Sequence, residues 1–398
     1  MVDAVAHFSR MQANPAAHEA YRHSTHSPAV ASIPAADYSR QVAGTTVAPA
    51  QTPNWVTAWS ETSGADTFIV MAGPEQGPHI ILPLEVVRKG PFRVARLMGG
   101  SHAAGNFPAF RDGPGRLTAE HLAQSVRASR PDVDLLHLER LCPELGGVSS
   151  PLAALPHTES PNLALAVSLE GGFEALLDRA SGKRKRKKHR SQARKFEAAG
   201  GLRRIEARSP EEIDAILARF YEMKADRFRK MGIADVFAAD GVRAFFRRLF
   251  VDALSQSPPP FVLHGLEVGG KLRAVTGSSR SGDRLICEFG AITEDELAFA
   301  SPGEFLFYEN IREACEQGLG IYDFSVGDEH YKRLWCNIEI HHFDIAVPIS
   351  AKGRVLAAAL GGITAAKRVV KQNPVVWALV KRLRRKAAAP APAEDDRD

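Results

Sequence analysis

From Trp55 onward the apolar residues fall into short runs cut by glycine and proline. Thr67 to Ala72 is β-branched and apolar, Gly73 to Pro78 reads as a turn, and His79 to Arg88 is a longer strand. Lys89-Gly90-Pro91 turns the chain into a third strand, Phe92 to Met98. A loop from Gly99 to Asp112 leads to a helix around Glu120 to Arg130 and a strand at Val133 to Leu141. Gly146 to Pro161, rich in Gly, Ser and Pro, reads as a linker.

The pattern resumes with a strand from Asn162 to Val167, a short helix near Phe173 to Asp178, a basic helix from Ser181 to Ala199 and a strand from Leu202 to Ala207. Ser209-Pro210-Glu211-Glu212 is a capping box with proline at the first helical position, which predicts a helix from Pro210 to Lys230. A further helix runs from Asp240 to Gln256 and stops at Pro258-Pro259-Pro260. Three strands follow, Phe261 to Val268, Leu272 to Arg280 and Leu285 to Ile292, joined by Gly269-Gly270 and Gly282-Asp283. The loop Thr293 to Pro302 then opens a helix from Gly303 to Gln317, and strands at Ile321 to Ser325 and His341 to Pro348 end the pattern.

Each half thus reads as three strands, a helix and a strand. A crossover helix after a meander returns the chain to the same sheet beside a parallel neighbour. Two related α/β domains with mixed sheets are the expectation.

Length agrees, because 398 residues exceed the usual size of one domain. Hydrophobic residues at 44% and charged residues at 24% exclude a wholly disordered or fibrous chain. The longest apolar run, Val355 to Ala366, is too short to span a bilayer and is interrupted by Gly361 and Gly362. The N-terminus lacks a secretory pattern, and Cys142, Cys287, Cys315 and Cys336 lie far apart without a C-x-x-C pair, so a cytoplasmic protein without a disulfide framework or zinc ribbon is expected. Residues 1 to 50 carry His7, His18, His23 and His26 at irregular spacing and read as a disordered leader rather than a metal tract. No metal is expected.

The formal charge of +5 matters through its distribution. Lys183 to Lys195 holds nine Lys/Arg in 13 residues, suited to nucleic acid, an anionic membrane or a phosphorylated donor. Nucleic acid is the weakest of these, since aromatic interleaving and recognisable RNA motifs are missing. Ala351 to Lys386 has ten Lys/Arg and no acid, interleaved with residues such as Val355, Leu360, Val369 and Trp377. It suits a helix lying on an anionic membrane, or one packed on the domain with a solvated basic face.

Ser301-Pro302-Gly303-Glu304-Phe305-Leu306, Tyr322-Asp323-Phe324-Ser325 and the block Gly327 to Trp335 resemble the GNAT acyltransferase superfamily. Within it they are most similar to the cellulose-biosynthesis-associated (CelD/BcsL-type) branch, which looks like the FemAB double-GNAT proteins. The resemblance covers roughly residues 165 to 348. It implies two tandem GNAT-like domains: a leader (1–50), a degenerate first domain with its linker (51–161), a C-terminal acyltransferase domain (162–350) and a basic helical tail (351–398). It also implies acyl-CoA, above all acetyl-CoA, as donor and a sugar or polysaccharide precursor as acceptor. Two rivals stand beside it: FemAB-like transfer from aminoacyl-tRNA, and a non-catalytic accessory protein of a membrane polysaccharide synthase at the inner face of the cell membrane.

A helix start exposes unpaired N–H groups at the positive end of the dipole and suits a diphosphate. Ser301, Gly303, Glu304 and Phe305 form such a start; a plain Ser-Pro-Gly cap is the alternative. The usual family loop, Gln/Arg-x-x-Gly-x-Gly/Ala, is replaced here by Glu294-Asp295-Glu296, which would repel a diphosphate unless turned away. Acyl transfer needs a base, oxyanion donors and a proton source. Glu288, Asp323 and Tyr331 are the candidates, expected to share one pocket with Lys332; pairing, local capping and packing are their respective alternatives. Lys332 and Arg333 are placed to hold a phosphate or acidic sugar. His341-His342-x-Asp344 reads as structural, because strand neighbours point to opposite faces.

Overall fold

A computed structural model describes residues 31–372 except 75, 76, 114 and 162. The expected histidine-rich tract and the last part of the basic tail, 373–398, lie outside the described residues.

The first sheet is built on the expected meander, β1 (Asp66–Ala72), β2 (His79–Lys89) and β3 (Phe92–Leu97). Helix α3 (Ala119–Ser129) crosses over, and β4 (Leu135–Leu141) returns parallel to β3. The second sheet repeats this with β7 (Phe261–Val268), β8 (Lys271–Ser281), β9 (Arg284–Ile292), helix α8 (Pro302–Glu316) and β10 (Ile321–Val326), parallel to β9. Its remaining strands are β5 (Ala164–Ser168), β6 (Leu202–Glu206) and β11 (Ile338–Ile340), in the order β6-β7-β8-β9-β10-β5-β11. The mixed α/β architecture agrees with the repeated sequence pattern.

Three regions depart from the expectation. The strand expected at His341 to Pro348 is β12 (Phe343–Pro348), and it pairs antiparallel with β4 in the first sheet. Each half therefore takes the strand beyond its crossover strand from elsewhere: β12 lies against β4, and β5, from the segment that joins the halves, lies against β10. Second, the leader expected to be disordered to residue 50 is structured in its described part, residues 31–50. Ala31–Ser32 pairs with β1, and α1 (Ala35–Val42) buries Tyr38, whose hydroxyl donates to the Gln51 carbonyl at 2.7 Å. Its apolar residues are few, but they sit on the one face that meets the core. Third, the linker packs: Leu152 and Leu155 are buried, and Thr158–Glu159 pairs with β12.

A further helix escaped the sequence reading. Helix α2 (Pro53–Thr62) starts on Thr52, whose hydroxyl accepts from Trp55 N, with proline at the first position. Its Trp55 and Trp59 meet Phe245 edge-on, with ring centroids 4.9 Å apart in both pairs. Phe245 belongs to α7 (Asp240–Ala253), which with α6 (Pro210–Met231) lies before the second meander. A single apolar core thus joins α2 and Ile69 and Ile81 of the first half to Phe220, Phe246, Phe261 and Phe289 of the second. The expected cap of α6 is present, Ser209 Oγ accepting from Glu212 N at 3.3 Å, while Glu212 reaches back to Arg208 N at 2.7 Å.

Candidate functional site

Strands β9 and β10 pair only from Arg284↔Ile321 to Ile286↔Asp323 and then separate. A register shift between Gly277 and Ser278 of β8 leaves Glu288 as the extra residue of β9. Two cavities open at this fork. The first, about 450 Å³, lies between β9, α8, α6 and the segment after β10. The second, about 400 Å³, lies between the halves, lined by Gly105 and Cys142 of the first and by Arg284, Asp323 and His342 beyond it.

Glu288 lines both. Its Oε1 accepts from Ser279 Oγ at 2.5 Å, and its Oε2 accepts the backbone N–H of Ala104, from the first half, at 3.1 Å. Burial pushes its carboxyl up to about 7 against the pull of those two hydrogen bonds, with nearby Asp323 adding to the rise.

Asp323 departs from the expectation of a single pocket. Tyr322 and Phe324 face α8, so alternation turns Asp323 to the other face, where it lines the second cavity. Arg284 Nη1 donates to its Oδ2 at 2.9 Å, and Ser325 N donates to Oδ1 at 2.7 Å. Burial raises its pKa despite Arg284.

Tyr331 and Lys332 do line the first cavity with Glu288. They belong to the single-turn helix α9 (His330–Arg333). The Tyr331 ring stacks on Phe307 at 5.6 Å, and burial pushes its hydroxyl well above the usual range, so it stays protonated. Lys332 is buried and donates to the carbonyls of Val326 at 2.9 Å and Ser325 at 3.3 Å, with Glu329 3.0 Å away. That ammonium holds the β10–α9 turn. Arg333 is likewise paired, with Asp328 and Glu339.

At the start of α8, Ser301, Gly303 and Glu304 line the first cavity, whereas Phe305 does not. The Phe305 side chain is buried, stacked on His189 and edge-on to Phe196. Ser301 does not cap through its hydroxyl; it adopts a left-handed conformation, φ 55°, and its carbonyl accepts from Gln192 Nε2 at 3.1 Å. Gln192 lies on the basic helix α5 (Gly182–Ala198), which follows the expected short helix α4 (Gly172–Arg179), and part of α5 is a docking face, with Lys188 paired to Glu304 and His189 to Glu309 at 2.6 Å. Lys183, Arg184, Lys187 and Arg190 are exposed. A Cβ on Gly303 would stand 2.6 Å from Ile292 Cγ2, so any side chain there forces Ile292 or the start of α8 to shift.

The three loop carboxylates turn away from the cavity. Asp295 and Glu296 pair with buried Arg273, and Glu294 pairs with Lys230 at 2.7 Å. Besides Lys332, the cavity is lined by two cations of α6, Lys224 and Arg227, which the sequence reading missed. Lys224 lies over the rings of Phe220, Phe228 and Phe237 at 5.6 to 5.8 Å, and burial pulls its ammonium down to about 8. The only trace in the sequence is their spacing of three residues on an otherwise ordinary amphipathic helix.

Residues 183–333 match the family described as an acetyltransferase (GNAT) domain. Comparison with curated protein sequences returns no match. Among solved structures, a conserved protein of unknown function from Bacteroides thetaiotaomicron VPI-5482 aligns with a TM-score of 0.50 at 14% identity, over 81% of this chain and 100% of that one. A FemX crystal structure aligns at 0.48 and 13% identity over 78% of this chain and 96% of that one. A tandem GNAT protein from the clavulanic acid biosynthesis pathway aligns at 0.43 and 13%, over 81% and 100%.

Proposed function

We propose that this chain, whose second half carries an acetyltransferase (GNAT) domain, transfers an acyl group from acyl-CoA, acetyl-CoA first, to an amine or hydroxyl of a sugar or polysaccharide precursor. The domain match supports the transferase chemistry. The saccharide follows from the resemblance of residues 301–306, 322–325 and 327–335 to the cellulose-biosynthesis-associated branch. The observation that carries the mechanism is the position of Glu288, a carboxyl in the wall between two cavities whose pKa burial pushes up to about 7.

In this reading the thioester lies in the first cavity, its diphosphate at the start of α8, and the acceptor enters from the second. The acceptor nitrogen or oxygen attacks the thioester carbonyl, Glu288 takes its proton, and the collapsing intermediate breaks the carbon–sulfur bond. A thiolate conjugate to a thiol of pKa about 8.5 is expelled. Lys224, at about 8, is matched to return a proton to it. Tyr331, held far above that range, donates a hydrogen bond and keeps its proton. Asp323 acts on the acceptor side, orienting Arg284. The unpaired edge of β9 beyond Ile286 offers backbone N–H groups for the oxyanion.

The test is thiol release from acetyl-CoA with a panel of amino sugars and oligosaccharides. Glu288→Gln should lower kcat about 10²- to 10⁴-fold with little change in KM for the donor and should remove a pH limb near 7. Unchanged kcat and an unchanged limb would overturn the assignment. A second reading, transfer from aminoacyl-tRNA, is favoured by the exposed cations of α5 near Glu304; RNA binding that weakens steeply with salt would select it. For the tail we propose contact with an anionic membrane surface through α10 (Ala351–Gln372), which exposes Lys352, Arg354 and Val355. Among the described residues no helix is long and apolar enough to cross a membrane.

A further inference from the structure

Away from the fork, the outer part of the second sheet gathers three ligating side chains. Glu206 on β6 and His264 on β7 stand opposite each other in the antiparallel register, and Glu313 reaches them from α8. One ligand atom from each lies within 4.8 Å of the other two. His264 is 2% exposed, yet neither ring nitrogen has a hydrogen-bond partner. Its Nε2 points into the cluster, 3.5 Å from Glu313 Oε2 and 3.8 Å from Glu206 Oε2.

These separations have a simple meaning. Around a tetrahedral ion bound at about 2.0–2.2 Å, neighbouring ligand atoms stand roughly 3.3–3.6 Å apart. The two gaps from His264 Nε2, 3.5 and 3.8 Å, exceed hydrogen-bond length and lie at or just beyond the edges of such a tetrahedron, and all three ligand atoms fall within 4.8 Å of one another. Glu313 is oriented by Arg204, whose guanidinium spans Glu313 and Asn310, the Asn310 contact being 3.0 Å. Hydrogen bonds of this kind ordinarily hold a ligating carboxylate in place. Arg208 stands 4.0 Å from Glu206 and is mostly exposed.

We infer that Glu206, His264 and Glu313 form a binding site for one divalent transition-metal ion of the zinc class, with water completing its coordination. The imidazole selects against calcium and magnesium, which take oxygen ligands in larger number. Arg204 and Arg208 compete with the ion for the carboxylates, so the site binds reversibly rather than permanently. Bound metal fastens the outer strands β6 and β7 to α8, the helix whose opposite end opens on the first cavity. The site is independent of the acyl-transfer reading.

The test uses the full chain after chelation and dialysis, titrated with Co²⁺ followed by its visible spectrum and with Zn²⁺ followed by calorimetry and thermal unfolding. Residues 1–26 contribute their own histidines, so the informative quantity is the difference between wild type and His264→Gln, Glu206→Gln and Glu313→Gln. The expected result is one strong site in the wild type, weakened at least tenfold in each variant, a d–d spectrum lost in His264→Gln, and a rise in Tm with Zn²⁺ but not with Mg²⁺. If His264→Gln fails to fold, the two glutamine variants decide alone. Equal binding and equal spectra in wild type and folded variants would overturn the site, as would no binding at all.

Discussion

At the scale of single residues, Glu288 sets function against stability. Folding raises its pKa from the ordinary 4.5 to about 7, so the folded chain holds a proton there that the unfolded chain has released. Between those values the native state loses stability as pH rises, and above about 7 the full cost is present. Glu288→Gln removes that cost and can keep both hydrogen bonds, its amide donating to Ser279 and accepting from Ala104. The variant should therefore show a higher Tm than the wild type at pH 8, a difference that shrinks as pH falls toward 4.5, while its turnover drops. A Tm difference that does not depend on pH would exclude the mechanism. Glu288, Tyr331 and Lys332 were legible as a group because they sit in the strand, loop and helix order that builds the fork. Asp323 was misplaced because facing follows from alternation along β10, and only the burial of Tyr322 and Phe324 tells which face is which. Lys224 was invisible, since nothing local separates a lysine over three rings from one in water.

At the scale of elements, the start of α8 depends on contact with β9. Gly303→Val should raise the acyl-CoA KM by roughly tenfold or more, because an ångström of displacement at a binding element is costly. Shortening the neighbour relieves the collision, so Gly303→Ala combined with Ile292→Ala should recover most of what Gly303→Ala loses. Calorimetric titration with coenzyme A checks both; additive losses in the double variant would mean that Ile292 is not the obstacle. Caps and turns made most elements readable, as with Ser209 for α6 and Gly269-Gly270 between β7 and β8. The same Thr-Pro signal was available at Thr52-Pro53 for α2. The basic helix α5 read as a uniform charge run, but Gln192 and Phe196 give it a buried stripe against α8.

At the scale of the whole molecule, the two halves share a core and exchange closing strands. The position of a strand in sequence says nothing of which sheet receives it, which is why β12 was assigned to the second domain while it pairs with β4. Truncation before Phe343 should strip the first sheet of β12 and leave the chain largely unfolded by circular dichroism. Truncation before Ala351 keeps β12 and removes α10, whose Gly353 packs on the Asp134 carbonyl. That shorter loss should lower Tm yet leave a cooperative transition; a fully folded product of the first truncation would refute the exchange.

The pairing of β4 with β12 also sets a timetable. Asp344 accepts from the backbone N–H of Arg140, a residue made 204 positions earlier. At the usual pace of translation, about 5–20 residues per second, the outer edge of β4 waits roughly ten to forty seconds on the ribosome before its partner exists. During that interval it presents unpaired N–H and C=O groups, the surface on which nascent chains adhere to one another. Slowing synthesis between the two strands lengthens the exposure, so the yield of soluble protein from such a message should fall although every residue of the product is unchanged.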